Sequence, residues 1–313
     1  MKLVFCGTPQ FAVATLQALH SAGHEIALVV SQPDRPAGRK QIVEPTPVKQ
    51  AAFALGLRSS QPDKIRNNVE FRAQLEAIKP EAIVVVAYGR IIPPWMLSLP
   101  HLGCINLHGS LLPKYRGAAP IQWAVAMGET VTGNTTMLLE EGLDTGPMLQ
   151  QQEIPIGPDQ TAADLFEILA AHGAPLMVQT LAGLANGSIK PQAQDHSRAT
   201  LAPILTRDDG RMDFATRTAT ELRNRWRGFQ PWPGAFTLLE EKKLIVHRME
   251  LANDAPNAPA EPGSLVLDQG RMLVACAQST WLALTELQLE GKRRISVDEF
   301  LRGTHLAPGT RLG

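Results

Sequence analysis

An asparagine and a histidine, Asn106 and His108, stand two residues apart at the end of the apolar run GCINLHG. Residues i and i+2 of a β-strand face the same side of a sheet, so in a strand these two side chains share a side. The asparagine amide and a protonated imidazole both donate hydrogen bonds. Together they can hold the oxyanion of a tetrahedral intermediate, for which one donor is worth roughly 3–4 kcal/mol. From the pair alone, the alternative that both side chains bind loop backbone stays open.

The third candidate is Asp144, which lies between Gly142 and Gly146 in the run EEGLDTGPM. Flanking glycines suit a tight bend that aims a short carboxylate. A carboxylate beside His108 would select the tautomer of its ring. Aspartates in turns also bind their own backbone, and Asp144 taken alone leaves that alternative open.

Other chemistries lack the residues that they need. The three cysteines are far apart, odd in number and without a CxxC pair, so neither a disulfide framework nor a zinc site is predicted. There is no HExxH motif and the eight histidines are scattered, so we expect no metal. A nicotinamide-binding loop carries several glycines, whereas the segment CGTPQF carries only one, so a nicotinamide-dependent enzyme is not predicted. A net charge of zero argues against nucleic-acid binding by bulk charge alone.

Strand and helix patterns alternate along the first half of the chain. The predicted strands are 2–6, 25–31, 81–89 and 103–109. The predicted helices are 10–23, 47–56, 65–79 and 119–128. This alternation predicts a doubly wound, Rossmann-like α/β sheet, whose ligands bind at the carboxyl ends of the strands, where His108 lies. The Pro-rich and basic segment 32–40 is expected to be an irregular loop.

The second half continues the sheet and then changes character. Runs at 135–141 and 148–156 predict an antiparallel extension, and 161–187 predicts one or two helices that close the domain. Residues 189–206 are polar and proline-containing and are expected to link a catalytic domain over 1–188 to a second domain over 207–313. That domain has one helix followed by strand-like runs at regular spacing, which suggests a small barrel.

Six motifs make the sequence resemble the methionyl-tRNA formyltransferase family. They are GTPQFAV, QPDRPAGR, VVVAYGRIIP, GCINLHGSLLPKYRGAAPIQWA, GLDTGPML and FQPWPGAF. They occur in the expected order along nearly the whole chain. The resemblance implies an α/β formyltransferase domain followed by an OB-like C-terminal domain. It also implies transfer of a formyl group from 10-formyltetrahydrofolate to the α-amino group of methionyl initiator tRNA.

The resemblance implies a role for each candidate residue. Asn106 and His108 would stabilise the oxyanion, while Asp144 would support His108 and help to remove a proton from the attacking amine. Transfer would be direct, because no activated nucleophile is visible. The folate is expected to lie along two segments, Val86, Ala87, Tyr88, Gly89 and Ser110, Leu111, Leu112, Pro113. The expected tRNA contacts are Arg35, Arg39, Lys40, Arg223 and Arg227.

Several alternatives share the same three residues. A formyltransferase acting on glycinamide ribonucleotide or an amino sugar nucleotide would keep them, as would a hydrolase that releases formate. An RNA-binding module on an inactive α/β scaffold would have no need of all three. No targeting segment and no apolar run long enough for a membrane helix is seen, so we expect a cytoplasmic monomer without membrane contact.

Overall fold

The computed structural model describes residues 1–37, 42–252, 254 and 260–313. These residues form two compact units. The first unit comprises 1–121, 131–156 and 164–203. The second comprises 122–130, 157–163 and 204–313.

A seven-stranded sheet forms the centre of the first unit. The strands of this part of the chain are β1 Lys2–Gly7, β2 Glu25–Val30, β3 Arg35–Ala37, β4 Ile42–Glu44, β5 Ser59–Ser60, β6 Ala82–Val86, β7 Cys104–His108, β8 Val131–Leu138 and β9 Met148–Pro155. The order in the large sheet is β5-β2-β1-β6-β7-β8-β9. The first five strands in this order, β5, β2, β1, β6 and β7, pair in parallel. Strand β8 pairs in antiparallel fashion with β7 and with β9. The predicted doubly wound sheet and its antiparallel extension are therefore confirmed.

Six helices accompany these strands. They are α1 Gln10–Ser21, α2 Pro47–Ala54, α3 Val69–Ile78, α4 Pro94–Leu97, α5 Pro120–Ala126 and α6 Ala162–Ala185. The short helix α4 was not predicted, because four residues carry too little periodicity to detect. Local hydrogen bonds help to define where helices begin. At the start of α3, for example, the side chain of Asn68 accepts a hydrogen bond of 2.9 Å from the Phe71 N–H.

The position of β1 in the sheet creates the crevice in which such folds bind ligands. From β1 the chain builds outwards through β2 and β5 on one side, then through β6 and β7 on the other. The sheet order therefore reverses between β1 and β6, and ligands bind beyond the carboxyl ends of strands at such a switch point. Gly7 pairs with Val86 at those ends. His108 is the last residue of β7, the strand next to β6, and lies at the same edge of the sheet.

Helix α6 is, among the described residues, the only helix long and apolar enough to span a membrane. Half of its most apolar 18-residue window is buried within the protein. Leu165, Leu169, Met177 and Leu181 are all fully buried. Because this apolar surface packs inside the first unit, α6 is a core helix, and the prediction of one or two closing helices is confirmed as a single helix.

The segment 32–40 contains regular structure that the sequence did not predict. Arg35–Ala37 forms strand β3, which pairs in antiparallel fashion with β4. The expectation of an irregular loop is therefore wrong for these three residues. The hydrogen bonds of β3 come from a partner strand several residues further along, which a composition rich in proline and glycine does not reveal. Residues 38–41 lie outside the described part of the chain.

Asp34 anchors the base of this hairpin. Its Oδ1 accepts hydrogen bonds from the Thr46 N–H at 3.3 Å and from Gln61 Nε2 at 2.6 Å, and its Oδ2 pairs with Lys49. Burial by itself would raise the pKa of this carboxyl. The hydrogen bonds from Lys49, Gln61 and Thr46 outweigh burial and leave the pKa below its ordinary value.

Replacing Asp34 with asparagine is expected to lower the free energy of unfolding by about 1 kcal/mol near neutral pH, because the pair with Lys49 is lost. The pKa of Asp34 is lower in the folded state, so its contribution is full above the unfolded value of about 3.9. The difference between wild type and variant therefore shrinks as the pH falls through the folded pKa. Urea unfolding at several pH values measures this difference, with Asp63→Asn at an exposed position as the control. A difference that grows towards acid contradicts the assignment.

The second unit is built on an antiparallel sheet. Its strands are β10 Phe236–Leu239, β11 Lys242–Leu251, β12 Leu265–Asp268, β13 Arg271–Ala275, β14 Trp281–Leu289 and β15 Ile295–Ser296. Its helices are α7 Ala219–Gly228 and α8 Val297–Gly303. The strand order is β10-β11-β14-β13-β12, with β15 paired to β14. This sheet is consistent with the expected OB-like domain. Helix α8 begins with a cap, because the Ser296 hydroxyl accepts from the Glu299 N–H.

Candidate active site

Strand β7 presents two polar side chains inside an otherwise apolar sheet. Asn106 is 9% exposed and His108 is 5% exposed. Asn106 pairs with Val85 of β6 on one side and with Met137 of β8 on the other. The side-chain amide of Asn106 has no hydrogen-bond partner among the residues that the structure describes. A nearly buried amide without a protein partner is free to serve a ligand.

The ring of His108 is held in one tautomer. Its Nε2 lies 2.9 Å from the carbonyl oxygen of Tyr115. A carbonyl only accepts, so Nε2 carries a proton and donates it to this oxygen. The other ring nitrogen, Nδ1, therefore faces the remaining polar groups of the site.

The carboxylate of Asp144 lies beside that second nitrogen. Asp144 Oδ2 is 3.7 Å from His108 Nδ1, which is within ion-pair range and longer than a direct hydrogen bond. The same oxygen accepts a hydrogen bond of 2.8 Å from the Gly117 N–H. Both side chains are mostly buried, at 6% and 13% exposure. The structure thus brings together the histidine and the aspartate that the sequence proposed from distant motifs.

Asp144 itself, rather than a neighbouring glycine, takes the left-handed backbone conformation, with φ of +49°. For a residue with a Cβ this conformation costs roughly 1–2 kcal/mol. Gly146 is required for a different reason, since a Cβ there would lie 1.9 Å from the Leu138 carbonyl oxygen. The flanking glycines therefore provide close approach, and the strained residue is the one whose carboxylate is aimed at His108.

This arrangement combines a hydrogen-bond donor with a proton-transfer pair. Asn106 can donate to an oxygen that becomes negative, and His108 Nδ1 with Asp144 can receive and return a proton. Among the described residues, no group of three or more His, Cys, Asp or Glu side chains is arranged to hold a metal ion.

The loop that follows β7 is held by side chains of strands β8 and β9. Thr135 Oγ1 donates to the Ser110 carbonyl at 2.6 Å and accepts from the Leu112 N–H at 3.1 Å. Gln151 Nε2 donates to the Leu112 carbonyl at 2.9 Å. Ser110 is fully buried, and its hydroxyl donates to the Lys114 carbonyl. The folate contacts expected of Ser110, Leu111, Leu112 and Pro113 stay predictions, and the Ser110 hydroxyl already has a partner inside the loop.

The bend after β6 has an unusual backbone. Ala87 and Gly89 have positive φ values of 45° and 77°. Gln32 Nε2 donates to the carbonyls of Tyr88 and Gly89, at 3.0 and 3.1 Å. Val86 is fully buried, and the Tyr88 ring packs in the core, where burial raises the pKa of its hydroxyl. This bend therefore exposes backbone rather than the Tyr88 ring, and its folate contacts stay predictions.

The predicted tRNA contacts are found in different surroundings. Arg39 and Lys40 lie outside the described residues, and Arg35 is exposed on β3. Arg223 donates to the Pro158 carbonyl and pairs with Asp159. Their contact with tRNA stays a prediction.

Arg227 is more deeply buried than Arg35 and Arg223. It is only 5% exposed and donates to the carbonyls of Gly157 and Gln160, at 3.1 and 3.0 Å. The sequence indicated only that it shares a helix face with Arg223. Its proposed tRNA contact is untested, and its observed partners are internal to the second unit.

Sequence reasoning missed several residues that hold the site. They are Tyr115, Arg116, Thr135, Gln151 and Gln194. Apart from Tyr115, which lies seven residues from His108, each acts through a partner that is remote in sequence, as with Gln194 and Asp144, which are 50 residues apart. Tyr115 and Arg116 both lie inside the motif GCINLHGSLLPKYRGAAPIQWA, which the sequence had singled out, although no role was predicted for either of them.

Family models match both parts of the chain. The model described as formyl transferase matches residues 1–181, and the formyl transferase C-terminal domain matches residues 204–305. A methionyl-tRNA formyltransferase from Acidobacterium capsulatum is 66% identical over 313 residues, covering all of both chains. The chain belongs to the methionyl-tRNA formyltransferase family.

Other relatives extend this family assignment. A methionyl-tRNA formyltransferase from Koribacter versatilis is 54% identical over 100% of this chain and 99% of its own. A crystal structure of WlaRD, a sugar 3N-formyl transferase with dTDP and 5-N-formyl-THF, matches with a TM-score of 0.65 over 94% of this chain and 99% of that one. Its identity of 18% shows a shared fold alone. Membership of the family confirms the resemblance on which the roles of Asn106, His108 and Asp144 were based, while those roles themselves stay predictions.

Proposed function

We propose that this protein transfers the formyl group of 10-formyltetrahydrofolate to the α-amino group of methionine esterified to initiator tRNA. The identity of 66% over the full length of a methionyl-tRNA formyltransferase carries this proposal. The pairing of His108 with Asp144, beside an unpartnered Asn106 amide, supports it. An amino sugar nucleotide as acceptor is not favoured, because the sugar formyltransferase structure shares only 18% identity.

In this mechanism the amine attacks the formyl carbon and forms a new carbon–nitrogen bond, which gives a tetrahedral intermediate with a negative oxygen. Collapse of this intermediate then breaks the bond to folate N10. Asn106 donates to the oxygen as it becomes negative. His108 donates to the same oxygen through Nδ1 once that nitrogen has taken up the amine proton, because Nε2 is already committed to the Tyr115 carbonyl. Donors placed in advance around a developing oxyanion need no reorganisation during the reaction, which makes them effective.

Asp144 helps to remove the proton of the attacking amine. An α-amino group has a reference pKa of about 8, so a sizeable fraction is protonated near neutral pH and cannot attack. The amine proton passes to the pair formed by Asp144 and His108, directly or through water, and is returned to N10 of the departing folate. Asp144 is kept in place for this by its hydrogen bond from the Gly117 N–H.

Transfer is direct, without a formyl-enzyme. Cys104 lies on β7, two residues before Asn106, yet it is buried and burial raises the pKa of its thiol to about 12. Burial likewise raises the pKa of Cys6 and that of Cys276, the latter to about 12. A thiol that stays protonated is a poor nucleophile, so none of the three cysteines is suited to covalent catalysis.

We place the folate against the bend 86–89 and the loop 110–113, which flank the carboxyl ends of β6 and β7. Leu111, Leu112 and Pro113 supply an apolar cover and the bend supplies backbone groups, the combination that pterin rings need. The acceptor stem of the tRNA is assigned to the segment 32–45, with Arg35, Arg39 and Lys40 as its contacts, and further phosphate contacts are assigned to Arg223 and Arg227. The proposed setting is a cytoplasmic monomer.

The decisive assay supplies 10-formyltetrahydrofolate labelled in its formyl group. Three reactions contain methionyl initiator tRNA, methionyl elongator tRNA, or buffer alone. We expect label on the initiator tRNA, much less on the elongator tRNA, and little free formate. Equal label on both tRNAs contradicts the specificity, and rapid formate release in buffer indicates the hydrolase instead.

A further inference from the structure

A buried glutamine stands in the polar segment after α6. Gln194 is 6% exposed, whereas Gln192, Ala193, Asp195 and His196 around it are all exposed. A buried amide is stable only when its donors and acceptors are satisfied. The partners of Gln194 therefore indicate why this one side chain is turned inwards.

The amide of Gln194 uses all of its hydrogen-bonding capacity. Its Nε2 donates to the carbonyls of Asp144 and Gly146, at 2.8 and 2.7 Å. Its Oε1 accepts from Arg116 Nε at 3.1 Å and from Arg116 Nη2 at 2.6 Å. A carbonyl cannot donate and a guanidinium cannot accept, so the orientation of the amide is determined without ambiguity.

These contacts close a ring around Asp144. The Arg116 guanidinium binds Gln194, and Gln194 binds the backbone of Asp144. The carboxylate of Asp144 returns to the N–H of Gly117, the residue directly after Arg116. Asp144 is thereby held at two points, its own carbonyl and its carboxylate, in the strained left-handed conformation described above.

We propose that Gln194 is a positioning residue for formyl transfer, which holds Asp144 in the backbone conformation that directs its carboxylate at His108. Arg116 orients the Gln194 amide and so acts in the same network. This inference rests on the proposed roles of Asp144 and His108. Gln194 itself acts only through Asp144.

Two variants separate positioning from simple structural support. Gln194→Ala removes all four hydrogen bonds. Gln194→Glu has nearly the same shape, and its carboxylate accepts both bonds from Arg116, but it donates nothing to the carbonyls of Asp144 and Gly146. Gln192→Ala is the matched control, because it is an exposed glutamine two residues away.

Steady-state kinetics with 10-formyltetrahydrofolate and methionyl initiator tRNA should show that both Gln194 variants lower kcat, by roughly 10- to 100-fold, as misplacement of a reacting group by about 1 Å does. KM for either substrate should change less than about threefold, since Gln194 is buried and its hydrogen bonds all go to the protein. Both Gln194 variants should lose some Tm, because the carbonyls of Asp144 and Gly146 lose their donor, so the kinetics are measured well below each thermal transition. Gln192→Ala should behave as wild type. Wild-type turnover in Gln194→Glu, or equal losses in kcat and KM, overturns the proposal.

A second readout does not depend on activity. The imidazole nitrogen and carbon-bound proton resonances of His108, assigned with the His108→Ala variant, report on the carboxylate beside Nδ1. They should shift in both Gln194 variants and stay unchanged in Gln192→Ala. Unchanged resonances in the Gln194 variants overturn the proposal. If the wild type transfers no formyl group to any tRNA, the proposed function fails, and these spectra alone decide whether Gln194 positions Asp144.

Discussion

Replacement of His108 with alanine is expected to lower kcat roughly 100- to 1,000-fold, the usual effect of removing one donor from an oxyanion site. The variant loses the Nδ1 that faces Asp144 at 3.7 Å. Binding of tRNA should change little, because a buried side chain at the end of β7 offers almost no surface to a macromolecule. Single-turnover formylation measures the chemical step, and filter binding of tRNA measures affinity.

The same replacement leaves the Tyr115 carbonyl without its donor, which is expected to cost about 1–3 kcal/mol of stability. The kinetics must therefore be measured on protein shown to be folded by its thermal transition. His101→Ala, at an exposed position, is the matched control and should retain full activity. Losses of similar size in turnover and in tRNA affinity would count against a role for His108 in the chemical step.

Replacement of Asp144 with asparagine is expected to lower kcat roughly 100- to 10,000-fold, the range for loss of a general base. Asparagine has nearly the same shape, and its side-chain oxygen still accepts from the Gly117 N–H. The change therefore removes the charge and the proton-accepting capacity while it keeps the loop. KM for the folate and for the tRNA should stay within a few-fold of wild type.

Glu141→Gln is the control for Asp144, because it removes an exposed carboxylate from the same loop. Its kcat should equal that of wild type. A variant Asp144→Asn that turns over at more than a tenth of the wild-type rate would remove Asp144 from the proton-transfer step. In that case Asn106 and His108 alone would have to supply the catalysis.

Short-range patterns in the sequence predict much of the site. A period of two in a strand places Asn106 and His108 on one side, and alternation of strands and helices places that strand in a doubly wound sheet. Both expectations are met by β7 and its neighbours. Asp144 was found because its glycine-flanked loop is a local signal, although the left-handed residue proved to be Asp144 itself.

The sequence by itself thus determined the two kinds of domain and the strand that carries Asn106 and His108, because strand and helix patterns depend on neighbours within about ten positions. These patterns left a loop or turn role open for Asn106, His108 and Asp144, and the family resemblance singled out the three residues as the candidate site. Only the tertiary structure decided which ring nitrogen of His108 faces Asp144, because the Tyr115 carbonyl takes the other. It alone turned Gln194 inwards to join Arg116 with Asp144, across separations of 78 and 50 residues. Such contacts form when the chain packs, and whether a polar side chain is buried with partners or left in water depends on residues far away in sequence.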